Sequence, residues 1–477
     1  MVNEYIATQI YANFAFTPTF GQKKIIEKLS QWLADDNFNE IFILNGYAGT
    51  GKTTIVSAFV KVLKLLKIKP IVLAPTGRAA KVAAQMSGER ALTIHKKIYR
   101  QKNMADIDSR FTLDFNREKD ACFIVDEASM IADFSTEGAV FGSGSLLDDL
   151  FEYVRRGTRC RIMFVGDSAQ LPPIGHDISP ALNPKRMEMY GPVVYGTLDD
   201  VVRQQIDSGI LFNATMVRCM IESGIYEIPR FDMSYPDFGV VEGGEFLELV
   251  ESCYGKYGRE DVIVITRSNK RANRFNEGIR GRVLYAENEI ESGDMLMVVK
   301  NNYHFTEHEE ECRLDFMANG DTARIRRLRR FEELYGFRFA EARLSFPDYD
   351  DYEMDCKIML DTLSSESPSL THEQSRALFS AVEQDYMDIT SKAKRYKEMR
   401  ENEYFNAVQV KFAYAVTCHK AQGGQWSVVF IDRMLFGEEP ISKDLLRWLY
   451  TAISRAVEKV YLVNFDERFF DEETMKE

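Results

Sequence analysis

The run Gly46-Tyr47-Ala48-Gly49-Thr50-Gly51-Lys52-Thr53 fits the pattern G-x-x-x-x-G-K-[ST] with no departure. It stands between a short apolar run at 41–44 and an amphipathic stretch at 53–66. This confines the fold, because such a loop must leave a strand and open a helix. Its glycines let backbone N–H groups turn inward around phosphate oxygens, where the helix N-terminus adds positive potential. Val56, Phe59, Val60, Leu63 and Leu66 then fall on one helical face. Further apolar runs at 71–74, 122–125, 162–165, 262–265, 428–431 and 460–463 have the length and β-branched content of buried parallel strands. Strand and helix alternating in this way predict an α/β protein with parallel sheets.

Two blocks interrupt the alternation. Residues 99–120 are short and polar, with alternating Phe111, Leu113 and Phe115, and read as a small projecting hairpin. Residues 292–406 open strand-like, turn at Asn319-Gly320-Asp321, pass through an acidic stretch and become helical at Thr371, where Thr371 and Gln374 have capping-box spacing. This second block reads as an inserted domain. The expected division is therefore 1–195 with the hairpin, 196–291 together with 407–477, and 292–406 as the insertion. A chain of 477 residues has room for them at roughly 150 residues per domain.

Seven cysteines without a C-x-x-C pair argue against a disulfide framework or zinc cluster and suit a reducing cytoplasm. No apolar run approaches the roughly 18 residues of a membrane span. The N-terminus lacks a basic start followed by an apolar core, so no secretory signal is expected. The formal net charge of −13 counts weakly against a nucleic-acid partner. Basic residues nevertheless cluster at Arg267, Lys270, Arg271, Arg274, Arg280 and Arg282, and again at Arg324, Arg326, Arg327, Arg329 and Arg330. These suit an electrostatic track, with a solvated face an equal reading of the second cluster.

The phosphate loop assigns chemistry directly. Lys52 is placed to reach the β- and γ-phosphates of a nucleoside triphosphate, and the Thr53 hydroxyl to ligate Mg²⁺. Gly46, Ala48, Gly49, Thr50, Gly51 and Thr54 complete the nucleotide cradle. Asp126 ends a hydrophobic strand, where a second Mg²⁺ contact belongs, and Glu127 is the candidate base for the attacking water.

Further segments narrow this nucleotide site to a motor. Residues 16–22 contain Gln22, whose amide can match an adenine edge. Residues 74–80 (Ala-Pro-Thr-Gly-Arg-Ala-Ala) and 93–96 (Thr-Ile-His-Lys) follow strands, 166–175 reads Gly-Asp-Ser-Ala-Gln-Leu-Pro-Pro-Ile-Gly, and 198–204 ends in Arg203-Gln204. Near the end come 414–426, with Thr417-Cys418-His419-Lys420-Ala421-Gln422-Gly423-Gly424-Gln425, and 450–456, with Ser454-Arg455. In this order the segments resemble the superfamily 1B helicases, in the RecD-like and Dda-like group of 5′→3′ DNA helicases.

The resemblance implies two RecA-like P-loop NTPase domains with parallel sheets, a small hairpin insertion, and a larger insertion containing an SH3-like barrel. It implies that Gln22 reads adenine, that Gln170 senses the γ-phosphate, and that Arg203 and Arg455 are arginine fingers. Gln422, Gly423 and Gln425 would lie at the nucleotide, with Gln425 standing where many relatives have Glu. Pro75, Thr76, Gly77, Arg78, Thr93, His95, Thr417, His419 and Lys420 would contact single-stranded DNA. Phe111 or Phe115 would be a wedge at a single/double-strand junction, with hairpin packing as the alternative. The implied protein is a cytoplasmic ATP- and Mg²⁺-dependent helicase, active as a monomer with no membrane partner. Replication, repair, recombination, conjugation and phage growth all stay open as the process served. An ATP-hydrolysing switch that does not move, and an RNA motor, are the competing readings.

Overall fold

The computed structural model describes residues 2–14, 16–101, 111–133, 142–200, 207–306, 314, 316–433 and 440–470. The phosphate-loop strand β1 (Ile41–Gly46) lies in a six-stranded sheet with β2 (Lys69–Ala74) and β3 (Ala91–Thr93). A two-stranded hairpin follows, β4 (Tyr99–Gln101) with β5 (Phe111–Leu113), paired antiparallel. The main sheet continues with β6 (Lys119–Val125), β7 (Thr158–Gly166) and β8 (Val193–Leu198). Its order is β3-β2-β6-β7-β1-β8, and every pairing is parallel. The expected hairpin at 99–120 thus gives up its end, since Lys119 already belongs to the central sheet.

Alternation along β1 shows why these runs are strands. Ile41 and Ile43 enter the core on one face of the sheet, Phe42 and Leu44 the core on the other. All four are at most 1% exposed. A sheet covered by helices on both faces needs apolar residues at every position, so its strands read as continuous runs.

The second parallel sheet contains β9 (Phe238–Val241) and β10 (Val262–Thr266). The chain then leaves it to build a closed barrel from β11 (Met295–Val298), β12 (Thr322–Leu334), β13 (Phe337–Phe346), β14 (Tyr352–Met359) and β15 (Val408–Phe412). Helices His372–Gln384 and Lys392–Arg400 lie between the last two barrel strands, the first opened by the Thr371/Gln374 capping box. The sheet resumes with β16 (Ala415–Thr417), β17 (Trp426–Asp432) and β18 (Ala456–Val463), in the order β16-β10-β17-β18-β9. The fold is therefore two RecA-like parallel α/β units with a hairpin and a barrel inserted. The insertion expected to end at 406 extends further, because the barrel closes through Val408–Phe412.

One buried ion pair fixes the barrel to the second sheet. Arg280, on helix Asn269–Arg282, donates from Nε and Nη2 to Asp294, both at 2.9 Å. The Tyr414 hydroxyl donates to the same carboxylate at 3.0 Å. Both charged side chains are at least nine-tenths buried. Removing one partner strands the other charge in a low-dielectric interior. Asp294→Ala is expected to lower stability by about 3–5 kcal/mol, measured as a shift of the urea unfolding midpoint, whereas Asp294→Asn, which keeps an acceptor, should lose less.

Candidate active site

The C-terminal ends of β1, β6 and β7 meet the second sheet across a cleft of about 740 Å³. The phosphate loop forms one wall. Gly51 caps helix Lys52–Leu65 at φ 84, a left-handed conformation that costs glycine little. Ala48, Gly49, Gly51, Lys52, Thr53 and Thr54 line the cleft. Thr50 is buried and bonds the Tyr47 carbonyl at 2.8 Å. Lys52 Nζ donates to the Gly46 and Tyr47 carbonyls and lies 4.0 Å from Asp167.

Asp126 and Glu127 stand beside this wall. Burial, and next the neighbouring Glu127, push the Asp126 carboxyl up to about 6. Glu127 is held at φ 51, ψ 38, a conformation disfavoured for a residue with a Cβ. From there its carboxylate lies 3.6 Å from the Arg455 guanidinium of the second unit. Gln170, Gly423, Gln425 and Arg455 line the same cleft, and Gln422 donates to the Leu171 carbonyl at 2.6 Å. Arg203 lies outside the described residues.

The donor set suits a magnesium nucleotide. The Thr53 hydroxyl and Asp126 carboxylate are hard oxygen ligands of the kind magnesium takes. Among the described residues Gln170 Oε1 is a buried acceptor without a hydrogen-bond partner, in the cleft wall.

Gln22 is placed differently from the adenine reader that the resemblance implies. Its Oε1 accepts from Thr19 N at 3.0 Å in a capping box, and its Nε2 donates to Thr50 O at 3.0 Å. The side chain is buried and braces the phosphate loop. The Thr19 spacing three residues upstream carries this signal in the sequence.

The strand-binding candidates occupy a second face. Thr76 caps helix Gly77–Ser87 and Thr93 caps helix Ile94–Ile98. Pro75 precedes the first of these caps. His95 lies 5.7 Å from Tyr99 and 6.3 Å from Phe316, ring to ring, and burial pushes its imidazole down to about 4. At neutral pH it carries no charge for a phosphate. Thr417 ends β16, followed by an exposed His419. Arg78 stacks on Trp426 at 4.0 Å and donates to the Gln425 carbonyl at 3.2 Å, which ties the two sheet units together. Gly423, at φ 74, lets the units touch, since a Cβ there would come 2.9 Å from Ala79 Cβ.

Barrel residues also engage this face. Lys81 donates to the Pro347 carbonyl at 2.8 Å and pairs with Asp348 at 3.4 Å, while Lys420 bonds Asn319. A side chain at Gly77 would collide with Tyr349 and Asp321. In the hairpin, Phe111 packs on Tyr303 with ring centroids 4.7 Å apart, whereas Phe115 is 64% exposed. Residues 102–110 of the hairpin lie outside the described residues.

Two residues without a role in the motifs join the cleft walls. Tyr450 Oη accepts from Ala48 N at 2.8 Å and donates to Asp167 at 2.6 Å. Thr451 Oγ1 accepts from Leu171 N at 2.8 Å. Their signal is polar side chains that are buried on the helix running into Arg455.

Comparison with known proteins falls on the same two halves. Residues 33–176 match the family model described as AAA domain, and residues 412–463 that described as UvrD-like helicase C-terminal domain. The chain is 36% identical over 149 residues to an uncharacterized protein of Methanocaldococcus jannaschii, a stretch covering 29% of this chain and 12% of that one. It is 28% identical over 163 residues to the ATP-dependent RecD2 DNA helicase of Deinococcus radiodurans, covering 33% of this chain and 19% of that one. The matches span less than a fifth of the length of these two relatives. Among solved structures, Pif1 helicase from Bacteroides in complex with ADP-AlF3 and ssDNA is 14% identical over 96% of this chain and 95% of that chain, with a TM-score of 0.46. Pif1 helicase from Candida albicans is 16% identical over 97% and 98%, with a TM-score of 0.40. The two family models and the RecD2 relative support the likeness to superfamily 1B RecD-like helicases that the motifs carry.

The geometry separates binding from turnover. Glu127→Gln is expected to bind ATP but to lose about 10²–10⁴-fold in turnover, as loss of a general base does. Arg455→Ala should lose about 10³–10⁵-fold, as loss of an arginine finger does. Steady-state hydrolysis paired with fluorescent-nucleotide titration checks both, and comparable losses in affinity would point to a structural role.

Proposed function

We propose that this chain is an ATP-dependent DNA helicase that moves 5′→3′ on single-stranded DNA. The observation that carries the reading is the approach of Glu127 and Arg455 from opposite units across the cleft that the phosphate loop lines, 3.6 Å apart. A base in one unit and a cation in the other make hydrolysis depend on closure of the two, which is what a motor needs to couple chemistry to movement.

Lys52 leaves its loop carbonyls to meet phosphate charge. Glu127 orients the attacking water and accepts its proton, and Gln170 senses the γ-phosphate. Arg455 neutralises charge developing on the γ-phosphate. Magnesium, held by the Thr53 hydroxyl and Asp126 carboxylate, would neutralise phosphate charge at the same place. Arg203 is the second proposed finger.

The strand track runs from Thr76, Gly77 and Thr93 on the first unit to Thr417, His419 and Lys420 on the second. The helix N-termini at Thr76 and Thr93 present backbone N–H groups to phosphates. A strand on this track competes with Asp348 for Lys81 and with Asn319 for Lys420. Phe115, the exposed aromatic of the two, is the proposed wedge, and Phe111 serves hairpin packing.

Strand displacement on matched duplexes tests the proposal. A 5′-tailed DNA duplex should be unwound and a 3′-tailed one should not, with activity falling steeply as salt rises. Unwinding from the 3′ tail would reverse the polarity. Hydrolysis without displacement on either duplex would leave an ATP switch, and stronger stimulation by RNA of equal length would make RNA the track.

A further inference from the structure

Helix Lys443–Ile453 carries two adjacent polar side chains with almost no exposure, Tyr450 at 1% and Thr451 at 0%. Neither is used by the hydrolysis scheme above. Both reach out of the second unit into the first. Tyr450 Oη sits between the Ala48 amide of the phosphate loop and the Asp167 carboxylate that begins the segment after β7. Thr451 Oγ1 takes the amide of Leu171 at the other end of that segment, and Gln422 of the second unit takes the Leu171 carbonyl. Gln170 lies between these two grips.

The segment is tied to its own unit mainly at its start. Ser168 N donates to Asn45 Oδ1 at 2.9 Å, and Asn45 Nδ2 donates to Ser168 Oγ at 3.0 Å. Past Ser168, the backbone of Leu171 is bonded on both its N–H and its C=O by side chains of the opposite unit. A segment hinged at one end in the first unit and carried at the other by the second must change shape when the units separate. The side chain that such a change displaces is Gln170.

We infer that Tyr450 and Thr451 are positioning residues that set Gln170 and the phosphate loop from the opposite unit, so that Gln170 reads the separation of the two units. This rests on the helicase reading above. Buried hydrogen bonds of this kind are costly to lose when one partner stays behind. Their hydroxyls bond Ala48, Asp167 and Leu171, so the effect passes through Gln170 and the loop.

The test uses the full chain with single-stranded DNA and ATP. Thr451→Val keeps the shape without the acceptor, Thr451→Ser keeps the acceptor, and Tyr450→Phe keeps the ring. Thr451→Val and Tyr450→Phe should each lower DNA-stimulated kcat by roughly tenfold, with KM for ATP changed by less than about threefold. ATP consumed per nucleotide travelled should rise in both, and Thr451→Ser should match the wild type. In a Gln170→Ala background, Thr451→Val should cost less than about twofold more, because its route is already cut. A full tenfold loss in that background, or wild-type turnover and coupling in Thr451→Val, overturns the inference. The Thr451 pair decides the matter if Tyr450→Phe does not fold. Absence of DNA stimulation in the wild-type protein overturns the helicase reading as well, so the two failures are distinguishable.

Discussion

The carboxylate of Asp167 is the point on which the cleft depends. It is 1% exposed, and burial raises its pKa. Lys52 of the phosphate loop, the backbone N–H of Ala169 and the hydroxyl of Tyr450 surround it. A charge withdrawn from water in this way is tolerable only while its partners stay in place. Since one partner belongs to the phosphate loop and another to the second sheet unit, the carboxylate makes loop conformation and unit separation a single variable.

The barrel belongs to this same mechanical system. It is fixed to the second unit by Arg280, Asp294 and Tyr414, and it touches the first through Lys81. Arg78 stacks on Trp426 and so closes the interface between the units. Arg78, Lys81 and Lys420, the cations nearest the proposed strand track, therefore already have partners across interfaces. Under the proposed reading, a backbone phosphate would have to offer Lys81 and Lys420 a better partner than Asp348 and Asn319 do. In that reading the exchange ties occupancy of the proposed track to the position of the barrel.

Much of the fold was legible because parallel strands covered on both faces must be apolar at every residue. The runs at 41–44, 122–125 and 428–431 sit inside β1, β6 and β17. The capping box at Thr371 was legible for a similarly local reason. The end of the insertion was not. Residues 408–417 form one largely apolar stretch that serves the barrel as β15 and the second sheet as β16, and no turn residue marks the change of partner. Gln22 shows the converse limit: a side chain with the chemistry to read a base is committed by a neighbour three residues away to capping a helix.

The sequence by itself determined the local chemistry: a phosphate loop between strand and helix, Asp-Glu at a strand end, and Ser-Arg after a helix. These are patterns of a few residues, enforced by backbone geometry and helix capping, so they survive without tertiary context. Only the tertiary structure decided which of these groups meet. Thr451 bonds Leu171 across 280 residues of chain, Tyr450 bonds Asp167 across 283, and Arg455 faces Glu127 through the packing of two separate sheets. No local period encodes such pairings, because they arise from the order in which parallel strands assemble and the side of each sheet on which their connections return.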